Sequence, residues 1–322
     1  MTDEPSPTSR DVILTVVGPT AVGKTSVAIS LARELGGEIV SADSRQIYRG
    51  MDIGTAKPTP GERAQAPHHL IDIVEPSETY DAARYAEDAE RVIARLVGGR
   101  DDGGRATPIV AGGTGFYLES LFEGLFEGAG RFPDVRQALA TRAQEEGAGA
   151  LHAELMRLDP ASASRIHEND SSRIIRALEV LEATGKPLSQ WHREPARAPS
   201  FHPRYVGLSL ERDRLVDRID RRVDAMIEAG LVEEIEGLVA SGALSSGMPG
   251  ASAVGYRELL PLVETGGGDL DVAVERIKVS TRRYAKRQMT WFRSVGGVEW
   301  FDAAAYSPEE IARLIISRGV DS

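Results

Sequence analysis

Cysteine is absent from all 322 residues, which excludes disulfides, thiolate catalysis and every zinc or iron–sulfur site built on sulfur ligands. A reducing, cytoplasmic location is expected. No run of about 18 apolar residues occurs, so no membrane-crossing helix is expected either. Residues 1–10 are acidic, carry two prolines and lack the basic start and apolar centre of a signal peptide; they read as a disordered tail. Lysine is scarce, five against 33 arginines, a bias that fits high-GC coding, although arginine is also the better phosphate clamp. What remains is ordinary for a folded chain: 41% apolar and 27% charged residues, enough for one large domain or two modest ones.

The net charge of −11 argues against a partner simply coated by positive charge, but the average hides a patch. Arg276, Lys278, Arg282, Arg283, Lys286, Arg287 and Arg293 fall in one stretch with no acidic residue among them. A charge run is ordinarily a solvated helix face. Here Tyr284, Trp291 and Phe292 interleave with the cations, so a nucleic-acid surface stands as the competing reading.

The alternation of elements points to an α/β fold. Residues 11–17 are an apolar run ending at Gly18, and 25–35 then carry Val27, Ala28, Leu31 and Leu35 at helical spacing. Further strands are expected at 38–42 and 108–111, with an amphipathic helix over 81–97 between them. Strands alternating with helices imply a parallel sheet covered on both sides. After Phe122 only helical patterns appear, the clearest over 171–184, before a strand at 205–210, helices at 212–229, 231–241 and 276–292, and a last strand at 299–301. The expected domains are therefore a core of 11–122 with 203–322 and a helical insertion, 123–202. No internal repeat is visible.

Gly18, Pro19, Thr20, Ala21, Val22, Gly23, Lys24 and Thr25 fit G-x-x-x-x-G-K-S/T between a strand and a helix. Glycines let backbone N–H groups turn onto phosphate oxygens, the helix N-terminus adds partial positive charge and Lys24 a full one. Thr25 places a hydroxyl for Mg²⁺. The motif announces a polyphosphate without saying which: no N-K-x-D guanine reader occurs, and ATP, another nucleotide or a different diphosphate all remain open. Asp43, ending the second strand, faces the same crevice and suits a metal ligand, a general base or a turn-capping carboxylate. Thr114 in Gly112-Gly113-Thr114-Gly115 is placed alike. His68 and His69, adjacent and with no third ligand, read as structural, since neighbours on a strand point to opposite faces. His167 and Asp170 also lack metal-ligand spacing.

Beyond the phosphate loop the chain contains SADSRQIYRGMDIGTAKPT (41–59), PHHLID (67–72), GGTGFY (112–117), HENDSSRIIRALEV (167–180), VGYRE (254–258) and TRRYAKRQMTWFR (281–293). In this order the blocks resemble the bacterial tRNA dimethylallyltransferases, also called IPP transferases, from about Val12 to Trp300. The resemblance implies a P-loop NTPase-like core with an inserted all-helical subdomain. It also implies transfer of a dimethylallyl group from its diphosphate to N6 of the adenine 3′-adjacent to the anticodon, in tRNAs that read codons beginning with U. Dimethylallyl diphosphate would lie in the Gly18 to Thr25 loop with Mg²⁺.

By the same resemblance Asp43 is the general base, and Thr114 and Arg222 stabilise charge on the leaving diphosphate; composition alone marks Arg222 as surface. The tRNA anticodon stem-loop is expected on four segments. They are Asp43, Ser44, Arg45 and Gln46; Ser172, Arg173, Ile174, Ile175 and Arg176; Ser252, Ala253, Val254, Gly255, Tyr256 and Arg257; and Thr281, Arg282, Arg283, Tyr284, Ala285, Lys286, Arg287 and Gln288. A monomer with no membrane partner is expected. The runner-up is a small-molecule or nucleotide kinase, which shares the loop, Asp43 and a helical lid but has no need of the basic aromatic helix.

Overall fold

The computed structural model describes residues 12–99, 104–124, 130, 132–191 and 200–319; the tail expected at 1–10 lies outside them. The elements are β1 (Val12–Val17), α1 (Lys24–Leu35), β2 (Gly37–Ala42), α2 (Pro60–Arg63), β3 (His68–His69), α3 (Ala82–Gly98), β4 (Thr107–Gly112) and α4 (Gly115–Phe122). Then come α5 (Pro133–Glu145), α6 (Ala148–Leu158), α7 (Pro160–Ala163), α8 (Ser171–Thr184) and α9 (Leu188–Trp191). The chain continues through β5 (His202–Ser209), α10 (Arg212–Glu228), α11 (Leu231–Ala240), α12 (Tyr256–Thr265), α13 (Leu270–Ser294), β6 (Glu299–Asp302) and α14 (Pro308–Ser317). Two compact units result, one drawn from Met1–Phe122 with Pro199–Ser322, the other from Glu123–Ala198.

In the first unit six strands form one parallel sheet in the order β3-β2-β4-β1-β5-β6. Central β1 pairs on both sides: Leu14 lies opposite Ile109 of β4 and Arg204 of β5. It is apolar almost throughout because both faces are covered. Ile13 and Val17 join a layer with Tyr85, Ala89 and Ile93 of α3 and Leu118 of α4. Leu14 and Val16 join another with Ala28 and Leu31 of α1 and Ile311 and Ile315 of α14. Each valine, leucine or isoleucine among them contributes roughly 1.5–3 kcal/mol by leaving water. The period of two along β1 thus fixes which helix covers which face, and aims the carboxyl ends of β1, β2 and β4 at one crevice.

The second unit packs α5 to α9 around Leu139, Leu151, Leu155, Ile174, Leu178 and Val180. Two buried carboxylates brace it. Glu179 accepts from Phe132 N, Arg136 and Arg176 at 2.9–3.0 Å, and Asp159 from Ser162 and Ser189.

Some elements depart from the sequence reading. The basic helix runs over 25 residues, from Leu270, because Asp269 caps it by accepting from Val272 N at 3.1 Å. The strand expected at 205–210 starts at His202. Helices α12 and α14 were not anticipated, although α14 carries a capping box: Ser307 Oγ accepts from Glu310 N and Glu310 Oε2 from Ser307 N.

Candidate active site

β1 delivers the chain to Gly18, where φ is 145° and a Cβ would stand 2.6 Å from the Leu208 carbonyl. Only glycine turns here. The loop then enters α1 through Gly23, also left-handed at φ 106°, so the helix N-terminus with its spare N–H groups heads the crevice. Lys24 Nζ donates to the Gly18 and Pro19 carbonyls at 3.1 and 2.8 Å. Burial lowers its pKa to about 8, with Asp43 pulling it back up and Arg222 pushing it further down.

A cavity of about 450 Å³ opens on this loop. Its walls include Thr20, Ala21, Gly23, Lys24 and Thr25, with Asp43 and Gln46 beyond β2 and Arg218 and Arg222 from α10. Arg222 is therefore not the surface residue that its composition suggests. Burial pulls its pKa below the usual arginine range, and Asp43 and Glu62 oppose that pull. Arg218 donates to the Val22 carbonyl at 3.2 Å and ties α10 to the loop; nothing in a helix dense in both charge signs singled it out. Of the eight motif residues, Gly18, Pro19 and Val22 are buried beneath the loop and shape it without lining the cavity.

Asp43 takes the turn-capping place among the alternatives its sequence offered, and it stands on the cavity wall as well. Oδ1 accepts from Arg45 N at 2.8 Å, closing a turn, while the residue also forms cavity wall. Thr114 sits outside that wall. Its N–H donates to Ala42 O at 3.1 Å and its hydroxyl accepts from Ser44 N at 3.0 Å, so the ends of β2 and β4 are stitched together. Gln46 Nε2 donates to the Ala56 carbonyl at 3.1 Å, fixing the 55–58 segment that also lines the cavity.

Three of the four segments assigned to RNA meet within the first unit. Arg45 donates to Ser252 Oγ at 2.9 Å, and Arg257 to Ser280 Oγ at 3.2 Å. In the third of them, burial first and the Asp43 charge second push the Tyr284 phenol up to about 12. The fourth segment opens α8 in the other unit, with Ser172 and Arg173 exposed.

Seven residues in these segments lie out of the solvent. Ile174, Ile175, Tyr256, Ala285 and Gln288 are buried because each helix turns one face into its own core, and Ala253 and Gly255 are buried in the turn that leads into α12. The basic patch is corrected. Lys278 pairs with Asp224 at 2.8 Å and Arg282 with Asp220, so α10 neutralises two of the seven cations. Arg276, Arg283, Lys286, Arg287 and Arg293 stay exposed.

The IPP transferase family model matches residues 46–295. The tRNA dimethylallyltransferase of Anaeromyxobacter dehalogenans is 46% identical over 95% of this chain and 99% of its own length. That of Syntrophobacter fumaroxidans is 49% identical over 91% and 84%. The chain belongs to the IPP transferase family. Among solved structures, the tRNA isopentenylpyrophosphate transferase of Bacillus halodurans covers 97% of both chains at 38% identity and TM-score 0.68. A eukaryotic dimethylallyltransferase acting on tRNA covers 96% of this chain and 79% of its own at 29% identity and TM-score 0.77. The P-loop NTPase-like fold is that of the family.

In this IPP transferase the two histidines are tied to the scaffold. His69 Nε2 lies 2.6 Å from Glu38 and His68 Nδ1 2.8 Å from the Ala66 carbonyl. No group of three or more His, Cys, Asp or Glu side chains able to hold a metal occurs among the described residues. A hydrated Mg²⁺ needs less than that: one or two protein oxygens plus phosphate oxygens. Thr25, Asp43 and Glu62 on the cavity wall fit this requirement. No helix among the described residues is long and apolar enough to cross a membrane.

Proposed function

We propose that this chain transfers the dimethylallyl group of dimethylallyl diphosphate to N6 of the adenine 3′-adjacent to the anticodon, in tRNAs reading codons that begin with U. The observation carrying this is one cavity that joins the Gly18–Thr25 loop, Asp43 and Arg222: a diphosphate cradle, a carboxylate and a half-buried cation around the same space. N6 attacks C1 of the prenyl group, the C1–O bond breaks, pyrophosphate leaves with the electron pair, and the N6 proton passes to the Asp43 carboxylate. Lys24 and Arg222 stabilise charge growing on the leaving diphosphate, in a buried setting where such contacts are strong. Thr114 acts by holding the Ser44 amide, and so the turn beneath Asp43. Thr25 would hold Mg²⁺, which when bound supplies further charge to the leaving group.

The adenine must leave its stack to reach this cavity. Arg45, Arg257 and the exposed cations of α13 supply backbone contacts, and Ser172 and Arg173 of the helical insertion supply others. A site built from one chain supports a monomer, and a tRNA substrate supports a cytoplasmic location. The loop here serves a prenyl diphosphate in place of ATP. Incubation with radiolabelled dimethylallyl diphosphate, bulk tRNA and Mg²⁺ tests the reading: label should appear in tRNA on N6 of adenosine. Unlabelled tRNA, or phosphate transfer from ATP to a small molecule, would overturn it in favour of a kinase.

A further inference from the structure

We infer that Gln288 is a positioning residue for the diphosphate loop, tying that loop to the helix that carries the exposed cations; this rests on Gly18–Thr25 being the diphosphate cradle. Gln288 lies in the block of residues assigned to RNA, yet only 6% of it is exposed. Its Oε1 accepts from the Thr20 N–H at 2.8 Å and its Nε2 donates to the Gly113 carbonyl at 2.9 Å. The amide has one sense only: turned over, it would set donor against donor and oxygen against oxygen. Gly113 has no space for a side chain because Gln288 fills it, a Cβ there standing 2.1 Å from Nε2 and 3.5 Å from Lys24 Nζ.

Two consequences follow for phosphate binding. A phosphate loop works by converging backbone N–H groups on its ligand, and Gln288 takes the Thr20 N–H out of that set. It thereby holds the first half of the loop in place and leaves binding to the amides nearer α1. The same helix presents Arg283, Lys286 and Arg287 outward, so the loop and the cationic face are fixed to one rigid body. Being uncharged, Gln288 does this without adding a second charge beside Lys24, whose ammonium burial already disfavours.

The test uses Gln288→Met, which keeps the volume and removes both hydrogen bonds, and Gly113→Ala, which reaches the same contact from the opposite side. Pyrophosphate with Mg²⁺ is titrated by calorimetry, and tRNA by filter binding at fixed salt. Both variants should bind pyrophosphate about tenfold more weakly, the magnitude of two lost neutral hydrogen bonds. KM for dimethylallyl diphosphate should rise in parallel, while tRNA affinity stays within about twofold. Equal losses for both ligands, as a general loosening of α13 would cause, overturn the inference. Lys24→Ala separates it from its premise. If Lys24→Ala weakens pyrophosphate while the other two variants bind like the parent, only the role of Gln288 falls; if Lys24→Ala has no effect, the diphosphate reading of the loop falls with it.

Discussion

The cavity on the Gly18–Thr25 loop and the outer face of α13 both gather cations, and they do so under opposite physical conditions. In the cavity Lys24 and Arg222 are half-buried beside Asp43, and desolvation moves both pKa values down. On α13 Arg283, Lys286 and Arg287 stand in water. A charge held in a dry site acts strongly on one developing charge, because little solvent screens it. A charge in water acts weakly and additively, and salt erodes it. The first arrangement suits a transition state, the second a polyanion with many equivalent phosphates.

The sharpest way to probe that contrast is Asp43→Ala, expected to lower the single-turnover rate of prenyl transfer by about 10²–10⁴ while tRNA binding persists. A fall of less than threefold would remove Asp43 from the reaction. Lys24 offers a smaller effect with a sign. Its ammonium is present below about pH 8 and lost above it, so dimethylallyl diphosphate affinity should weaken as pH rises past that value, approaching about tenfold per unit. Lys24→Met should bind weakly with no such dependence. A Lys24→Met profile parallel to the parent's would assign the titration elsewhere.

The smallest effect is expected outside the cavity. Replacing Arg283, Lys286 and Arg287 together by Gln should cost a few-fold in tRNA affinity at physiological salt. Each lost phosphate contact should flatten the plot of log affinity against log salt by about 0.7–0.9. Dimethylallyl diphosphate binding should not change. An unchanged salt slope would mean that these cations are only a solvated face, and that RNA is gripped by other residues.

The elements most legible in the sequence are those whose signal is local. A strand, a glycine turn and a helix opening at Lys24 are written in consecutive residues, and α8 follows from its spacing between the Asp170 cap and Gly185. Helix α14 was equally local, and its Ser307 and Glu310 box went unread. Arg222 and Gln288 were legible only through resemblance, and the bonds of Gln288 to Thr20 and Gly113 had no signal in the sequence. Seen along α10, Arg222 is one more charge in a charged helix; seen along α13, Gln288 is one more polar residue among cations.

Sequence alone determined the parallel α/β core, the phosphate loop and the family, because strand and helix periods and a contiguous motif need no partner to be read. Tertiary structure decided which charges matter. Packing α10 against α13 put Arg222 on the cavity wall and placed Asp220 and Asp224 against Arg282 and Lys278. Packing α13 over the loop turned Gln288 inward to Thr20 and Gly113. The worth of a charge or an amide depends on its distance from water and on the group opposite it, and both are set by segments far away in the chain.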